Sequence, residues 1–292
     1  MLVNLKEILD IAKGKGFAIP AFNVYNMETV MGVIDAAKKA KAPVIIQSYS
    51  RLFSNEEAFY LAPIVLKAAQ EADVPVCFHL DHGAGEKEVT RALRYGCTGV
   101  MIDASMQSFE ENIATTKKIK EMCAAVNVPI EGELGHIGST KDGITTEYTK
   151  VDEAVKYVKE TGVCALAIMV GTAHGHYKQA PKLAIDRIKE IADATDVALV
   201  LHGGSGVGDD QIKEAIKAGI TKINFGSRYF SHNSHAFSVP TSIPALQFTT
   251  TIAASATLMA SSTSPTKSKY PGVSRILIFA FSHSIGIRLV LS

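Results

Sequence analysis

The feature that most restricts the fold is an alternation of eight short apolar runs with longer segments of helical spacing. The runs begin about 23 to 37 residues apart, the length of a strand, a loop and a helix. They are nearly continuous in Val, Ile, Leu and Ala, which is typical of parallel strands covered on both faces. The runs are 17–22 (FAIPAF), 43–48 (PVIIQS), 74–80 (VPVCFHL), 99–103 (GVMID), 128–134 (VPIEGEL), 165–170 (ALAIMV), 197–202 (VALVLH) and 220–226 (ITKINFG).

Eight strand–helix units in roughly 230 residues predict an α/β chain closed as a (β/α)8 TIM barrel. The competing fold is a doubly wound open sheet, which requires a Gly-rich nucleotide loop after its first strand. Residues 21–25 (AFNVY) do not form such a loop. The predicted helices between the strands include 27–40, 110–125, 153–161, 183–195 and 209–218.

Charge divides the chain at Ser227. All 29 acidic residues precede it, whereas residues 227–292 hold five basic residues and fourteen serines. We therefore predict two regions, a barrel over 1–226 and an atypical Ser/Thr-rich tail over 227–292 that replaces the last helix region. We hypothesise that a shifted reading frame produced the tail. Sequencing of the transcript, or the intact mass of the native protein, tests this.

Composition excludes several classes of protein. The net charge of +1 gives no case for a partner such as nucleic acid or an anionic membrane surface. No run of eighteen apolar residues is present, and residues 1–15 lack the apolar stretch of a signal peptide. The four cysteines show no CxxC pairing, which argues against a disulfide scaffold and suits a reducing compartment. We expect a cytoplasmic protein.

Three predicted strands end near a histidine, namely His82, His174 and His202. Catalytic groups of a barrel lie at the carboxyl ends of its strands, so these side chains are expected to converge over the barrel mouth. Three protein ligands with one open position are typical of catalytic zinc. A lone histidine is more often a hydrogen-bonded structural residue, but three at equivalent positions favour a metal site. His79 faces away from His82 by strand alternation or packs below the site, and we interpret it as core.

Carboxylates also follow the predicted strands. Asp81 adjoins His82 and is a candidate to orient that ligand or to act as a general acid and base. Asp103 and Glu133 are candidates for a second or alternative metal position, since oxygen ligands suit that task. Salt bridges at the barrel rim are an equally favoured interpretation of these two residues.

A Gly-rich loop follows the seventh predicted strand and precedes a helix. Backbone N–H groups, a hydroxyl and a helix N-terminus can together hold an anion, and barrels commonly bind phosphate after strands seven and eight. The sequence therefore predicts a phosphate cup here. Its residues are Gly203, Gly204, Ser205 and Gly206, completed by Asn224, Ser227 and Gly175.

The polar segment 135–147 (GHIGSTKDGITTE) separates the fifth predicted strand from its helix. Its length and glycines are typical of a mobile lid, from which Asp142 or Glu147 could reach a substrate. An exposed loop without a catalytic role is the equally favoured alternative.

Seven motifs stand at the predicted strand ends: AFNVYN at 21–26, HLDHG at 79–83, GVMIDAS at 99–105, EGELG at 131–135, GTAHGHY at 171–177, LHGGSG at 201–206 and KINFGS at 222–227. In this order and spacing they resemble the class II, metal-dependent ketose-bisphosphate aldolases, which act on fructose or tagatose bisphosphate. The order and spacing together are highly specific. The resemblance covers 1–226, about three quarters of the chain.

The resemblance implies a lyase of carbohydrate metabolism that reversibly cleaves fructose 1,6-bisphosphate to dihydroxyacetone phosphate and glyceraldehyde 3-phosphate, a step of glycolysis. It implies zinc on the three histidines, binding the oxygens at C2 and C3 and stabilising the enediolate left by C3–C4 cleavage. Asp81 would exchange the proton of the C4 hydroxyl, and Asn224 would steady the enediolate. Asp142 is the nearest candidate for the lid acid that handles the C3 proton.

The resemblance also implies how the substrate is held and what else is bound. Asn23 matches a residue near the substrate, and a monovalent cation is expected near the strand-six loop. A homodimer or a homotetramer is expected if the tail permits assembly. The phosphate of the dihydroxyacetone phosphate half would be held by Gly175, Gly203, Gly204, Ser205 and Ser227.

Departures from the family keep three alternatives open. Tyr49 stands where relatives usually have Ser or Thr. Gly226 stands where many fructose-specific relatives have Asp, and this difference favours tagatose bisphosphate, or mixed specificity, slightly. The altered tail favours an inactive barrel that only binds a phosphorylated ligand. A Schiff-base aldolase would use Lys222, a candidate that the histidine triad disfavours.

Overall fold

The chain forms a closed barrel of eight parallel strands in the order β1 to β8, with β8 pairing back onto β1. The computed structural model describes residues 1–138, 147–174 and 181–226, and the backbone alone of 277–281 and 287–291. Every one of the eight predicted runs becomes a strand, which confirms the (β/α)8 barrel. The strands are β1 Ile19–Asn23, β2 Val44–Tyr49, β3 Val76–Gly83, β4 Gly99–Ile102, β5 Ile130–Leu134, β6 Ala165–Ile168, β7 Ala198–Leu201 and β8 Ile220–Phe225.

Helices cover the outside of the barrel. Three of them begin with a capping box, in which the side chain of Asn4, Asn26 or Ser108 accepts a hydrogen bond from the third helical N–H. Two helices have the bounds that their spacing predicts, and the other three predicted helices differ by one or two residues at one or both ends. The helices are α1 Leu5–Ala12, α2 Met27–Ala40, α3 Ser50–Ser54, α4 Glu57–Glu71, α5 Glu86–Arg94, α6 Phe109–Ala124, α7 Val151–Thr161, α8 Ile185–Ala194 and α9 Asp209–Ala218.

The barrel has an apolar amino-terminal end and a polar carboxyl-terminal end. Helix α1 packs Leu5, Ile8 and Leu9 against the apolar side chains at the start of the barrel interior, among them Ile19 and Ile45. This apolar plug fills the lower end of the interior. The polar interior side chains lie above it, towards the end where the strands finish.

The alternation of side chains places the polar ones inside that end. Asn23, Gln47 and His79 are register partners across β1, β2 and β3, and all three are buried. The next pair along, Tyr49 and Asp81, stands one layer nearer the mouth. A period of two thus stacks the site residues in layers along the barrel axis.

The predicted tail, with its proposed change of reading frame, lies mostly outside the described residues. Two tail segments are described by backbone, β9 Leu277–Phe281 and β10 Ile287–Leu291, and they pair antiparallel. Within the described ranges, none of the helices is long and apolar enough to span a bilayer.

Candidate active site

Strand β3 brings two consecutive residues, Asp81 and His82, to the same site. Strict alternation would point them to opposite faces, but His82 has φ +50°, in the left-handed region, and the register against β4 shifts between Leu80 and Gly83. This conformation costs a residue other than glycine about 1–2 kcal/mol. It turns the imidazole into the mouth, where its Nε2 lies 4.0 Å from Oδ1 of Asp81.

The three predicted histidines meet at the barrel mouth. The ring centre of His82 is 4.8 Å from that of His174 and 4.8 Å from that of His202. One ring nitrogen from each of the three lies within 4.8 Å of the others. The closest pair, Nε2 of His82 and Nδ1 of His202, is 3.1 Å apart. Nitrogen ligands at about 2.0–2.1 Å around a tetrahedral zinc ion stand at similar separations, so this donor set fits zinc.

Carboxylates fix the orientation of two of these rings. Nδ1 of His82 lies 2.8 Å from Oδ2 of Asp103, and Nε2 of His202 lies 3.0 Å from Oε1 of Glu131. When these nitrogens carry the hydrogens, the remaining nitrogens, which face each other, are free as ligands. Asp103, predicted as a metal ligand, thus also serves as the hydrogen-bond partner of one.

The pKa values of the three histidines agree with a cation site between their rings. Burial lowers the pKa of His82, but Asp81 and Asp103 outweigh burial and raise it to about 10. Burial and the charge of His82 lower the pKa of His174 to about 3, and burial also lowers that of His202. In the metal-free protein one imidazolium therefore stands beside two neutral rings, in the place that a cation would take.

A second candidate metal group shares His82. Its other members are Asp103 and Glu133, the pair predicted for a second or alternative position. Burial and the nearby Asp103 raise the pKa of Glu133 to about 8, and its Oε2 is buried without a hydrogen-bond partner within the described part of the chain. A buried, unsatisfied carboxylate oxygen facing other donors fits a hard cation.

Asp81 is held by two amides. Its Oδ2 accepts a hydrogen bond from Nδ2 of Asn23 at 2.8 Å, and its Oδ1 accepts one from Nδ2 of Asn224 at 3.3 Å. Gln47 donates in turn to Oδ1 of Asn23 at 2.9 Å. Burial raises the pKa of Asp81, but the positive charges around it, first that of His82, hold it below its usual value. The carboxylate is therefore ionised and aimed, as a proton acceptor requires.

The sequence did not predict a role for Glu131 or for Gln47, and it assigned His79 to the core. His79 is fully buried, with Nε2 3.4 Å from Oε2 of Glu131, so it supports the site from below. Lys222, the Schiff-base candidate, is also fully buried and donates to Glu131 at 2.8 Å and to Asn224 at 2.8 Å. Their signal in the sequence was a charged or polar residue inside an apolar strand, at an inward-facing position.

The Gly-rich loop packs tightly against β8. A side chain at Gly204 would meet Ile223 Cγ2 at 2.6 Å and the Asn224 carbonyl oxygen at 3.0 Å. The Gly204 N–H donates to that carbonyl at 3.0 Å, and the role of Gly204 in holding phosphate stays a prediction. Ser205 donates from Oγ to the Gly226 carbonyl at 3.0 Å. Gly203 has φ +65°, which favours glycine.

Three other predicted site residues are not among those described. Asp142 falls in 139–146, Gly175 in 175–180, and Ser227 in the tail. Their roles as lid acid and as phosphate ligands stay predictions, as does the monovalent cation near the strand-six loop.

Comparison with known proteins identifies relatives of this barrel. YdjI of Escherichia coli K12, an uncharacterized protein, is 40% identical over 228 residues, which cover 77% of this chain and 82% of YdjI. A sulfofructosephosphate aldolase of Alkalicoccus urumqiensis is 38% identical over 76% of this chain and 79% of its own. A probable fructose-bisphosphate aldolase of Bacillus subtilis is 38% identical over 76% of this chain and 80% of its own.

Solved structures and a family model agree with these relatives. The crystal structure of a putative fructose-1,6-bisphosphate aldolase from Coccidioides immitis has a TM-score of 0.76 and 28% identity, covering 88% of this chain and 95% of that one. The model of the family described as fructose-bisphosphate aldolase class-II matches residues 3–263. The chain is a member of the class II fructose-bisphosphate aldolase family.

Proposed function

We propose that the protein is a zinc-dependent aldolase that reversibly cleaves fructose 1,6-bisphosphate to dihydroxyacetone phosphate and glyceraldehyde 3-phosphate. The observation that carries the proposal is the convergence of His82, His174 and His202 beside the ionised carboxylate of Asp81. This arrangement places a cation site and a proton acceptor within one small volume, as aldol cleavage requires.

Each group has a task in that reaction. Zinc held by the three histidines would supply a Lewis acid for the ketose oxygens at C2 and C3. Asp81 would accept the proton of the C4 hydroxyl in cleavage and return it in condensation. The Nδ2 group of Asn224, which faces Asp81 at 3.3 Å, would donate to the oxygen on which negative charge develops. The apolar plug of α1 fills the barrel below these groups.

The phosphate site would form between the loop after β7 and the end of β8. Ser205 supports the proposal because its Oγ lies at this junction, bonded to the Gly226 carbonyl. Helix α9 begins four residues later at Asp209, so its N-terminus contributes positive potential to the same region. A homodimer or homotetramer stays a prediction from the resemblance, and a cytoplasmic location stays a prediction from composition.

The second candidate substrate is tagatose 1,6-bisphosphate. It is favoured by Gly226, an exposed residue at the end of β8 that offers no side chain where many fructose-specific relatives have Asp. The names of the relatives also differ in substrate, since one is a sulfofructosephosphate aldolase and another a probable fructose-bisphosphate aldolase. The family's barrel thus accommodates substrates of different structure.

The test is aldol cleavage of fructose and tagatose bisphosphates by the full chain, with zinc and with a chelator. We expect turnover of fructose bisphosphate that a chelator abolishes and zinc restores. A higher kcat/KM with the tagatose epimer would assign the second candidate. Absence of both activities in a protein that still binds a phosphorylated ligand would instead indicate the inactive barrel. Trapping by borohydride would indicate a Schiff base.

A further inference from the structure

Lys222 is the buried cation at the centre of the site. It is the one fully buried Lys or Arg side chain among the described residues, whereas Asp81, Glu131 and Glu133 are buried acids of the same barrel interior. An ammonium ion is costly to bury and is retained there only when it is paired and hydrogen-bonded. Both conditions are met, because its Nζ lies 2.8 Å from Oε2 of Glu131 and 2.8 Å from Oδ1 of Asn224.

One contact of Lys222 fixes the Asn224 amide. Since an ammonium group only donates, it selects the oxygen of the amide and so directs Nδ2 away from itself. Nδ2 then faces Asp81, to which it donates at 3.3 Å. Without the ammonium group, the amide oxygen would lose this donor, and the long 3.3 Å contact with Asp81 would be left to hold the direction of Nδ2.

The other contact holds Glu131 against a metal-binding ring. Oε2 of Glu131 binds Lys222, which leaves Oε1 to accept from Nε2 of His202 at 3.0 Å. A hydrogen on Nε2 keeps Nδ1 free to face His82. The same ammonium group therefore supports a predicted metal ligand on β7 and a substrate-facing amide on β8.

We propose that Lys222 is a positioning residue that aligns the metal-binding and substrate-facing halves of the site through Glu131 and Asn224. This inference rests on the proposed function for its effect on turnover, but its effect on metal binding is independent of the substrate. It also disfavours Lys222 as a Schiff-base nucleophile, because its Nζ is already engaged by Glu131 and Asn224.

Two variants separate the effect of Lys222 on Glu131 from its effect on Asn224. Lys222→Met removes the ammonium group at similar length and leaves the buried Glu131 carboxylate unpaired. Lys222→Met combined with Glu131→Gln removes both charges, and such replacement of a buried pair is often tolerated. Lys217→Met, an exposed lysine in the last turn of α9, is the matched control.

Zinc affinity and turnover are measured for each variant, by competition with a chromophoric chelator and by cleavage kinetics. We expect Lys222→Met to weaken zinc binding by about 10- to 100-fold, the range for partners of metal ligands. The paired variant should recover the zinc affinity of Glu131→Gln alone. Its kcat should stay about 100-fold or more below that of Glu131→Gln, with KM changed less than about threefold, because the amide is still unheld.

A third substitution tests whether the loss of turnover passes through Asn224. Adding Asn224→Ala to the paired variant should lower kcat no further, since interacting residues are not additive. The proposal is overturned if the paired variant turns over as fast as Glu131→Gln, or if Lys222→Met binds zinc as wild type does. It is also overturned if adding Asn224→Ala to the paired variant lowers kcat by a further, multiplicative factor. If wild-type protein cleaves no phosphorylated sugar, the proposed function fails while the zinc measurement still decides the role of Lys222.

Discussion

Nε2 of His82 and Nδ1 of His202 face each other across 3.1 Å at the mouth of the barrel. Each ring has a carboxylate at its other nitrogen, Asp103 for His82 and Glu131 for His202. With a pKa near 10, His82 carries a proton into this gap when no metal is bound. Proton and metal therefore compete for one position, and this competition makes metal affinity depend on the carboxylates and on pH.

Replacing Asp103 by Asn should weaken zinc binding about 10- to 100-fold. The carboxylate is 2.8 Å from Nδ1 of His82, and Asn can still bond to that nitrogen but supplies no charge. Equilibrium competition with a chelator measures the effect. Asp152→Asn, on the first turn of α7, is the control and should bind zinc as wild type does. Equal affinity in the two variants would remove Asp103 from the metal site.

Replacing Asp81 by Asn should lower kcat for cleavage by about 100- to 10,000-fold, the usual contribution of a positioned acid or base. Asn keeps the shape of the side chain, so the protein should fold and retain its zinc. Steady-state kinetics and metal analysis of the same sample distinguish the two effects. A variant that loses zinc but not turnover at saturating metal would assign Asp81 to ligand orientation instead.

Metal-free protein should lose stability as the pH rises from about 7 to about 10. Burial and Asp103 raise the pKa of Glu133 to about 8, and Asp81 and Asp103 outweigh burial to raise that of His82 to about 10. Both groups bind protons more tightly in the folded state, so their contribution is fully present below the unfolded-state pKa of each and is lost above its folded one. Thermal unfolding of chelator-treated protein across this range measures the trend.

Zinc should reverse that trend. Binding requires neutral imidazoles, so the gain in melting temperature on adding zinc should increase from pH 5 to pH 8. Paired melting curves with zinc and with chelator at each pH provide the comparison. A gain that is constant across this range would mean that the ion binds elsewhere than at His82.

The barrel and much of the site were predictable because both follow from periodicity. A buried strand is recognisable in the sequence as a run of β-branched and other apolar residues. In a closed barrel, the residues at the carboxyl ends of the strands come together at one mouth. That reasoning brought His82, His174, His202 and Asp81 to the barrel mouth. Strict alternation alone would have separated His82 from Asp81, and the left-handed backbone that brings both to the site is a property of the folded turn.

The supporting residues were less predictable. Glu131 and Lys222 lie on strands β5 and β8, 91 positions apart, and their pairing depends on how the closed barrel aligns those two strands. A charge within an apolar strand signals that some partner exists but does not identify it. The hydrogen bond of the Gly204 N–H was unpredictable for the same reason, since its acceptor, the Asn224 carbonyl, belongs to strand β8.

Gly204→Ala should lower kcat about tenfold or more, through the position of Asn224. The added methyl group would stand 2.6 Å from Ile223 Cγ2 and 3.0 Å from the Asn224 carbonyl oxygen, so the end of β8 must shift. Overpacking of this kind typically costs about 1–3 kcal/mol of stability, and a small displacement of a substrate-facing amide is costly for turnover. Gly208→Ala is the matched control, because its methyl group would meet nothing within 4 Å and its φ of −68° suits alanine. Chemical denaturation and cleavage kinetics of the two variants decide the matter: if both retain wild-type kcat, the loop after β7 does not position Asn224.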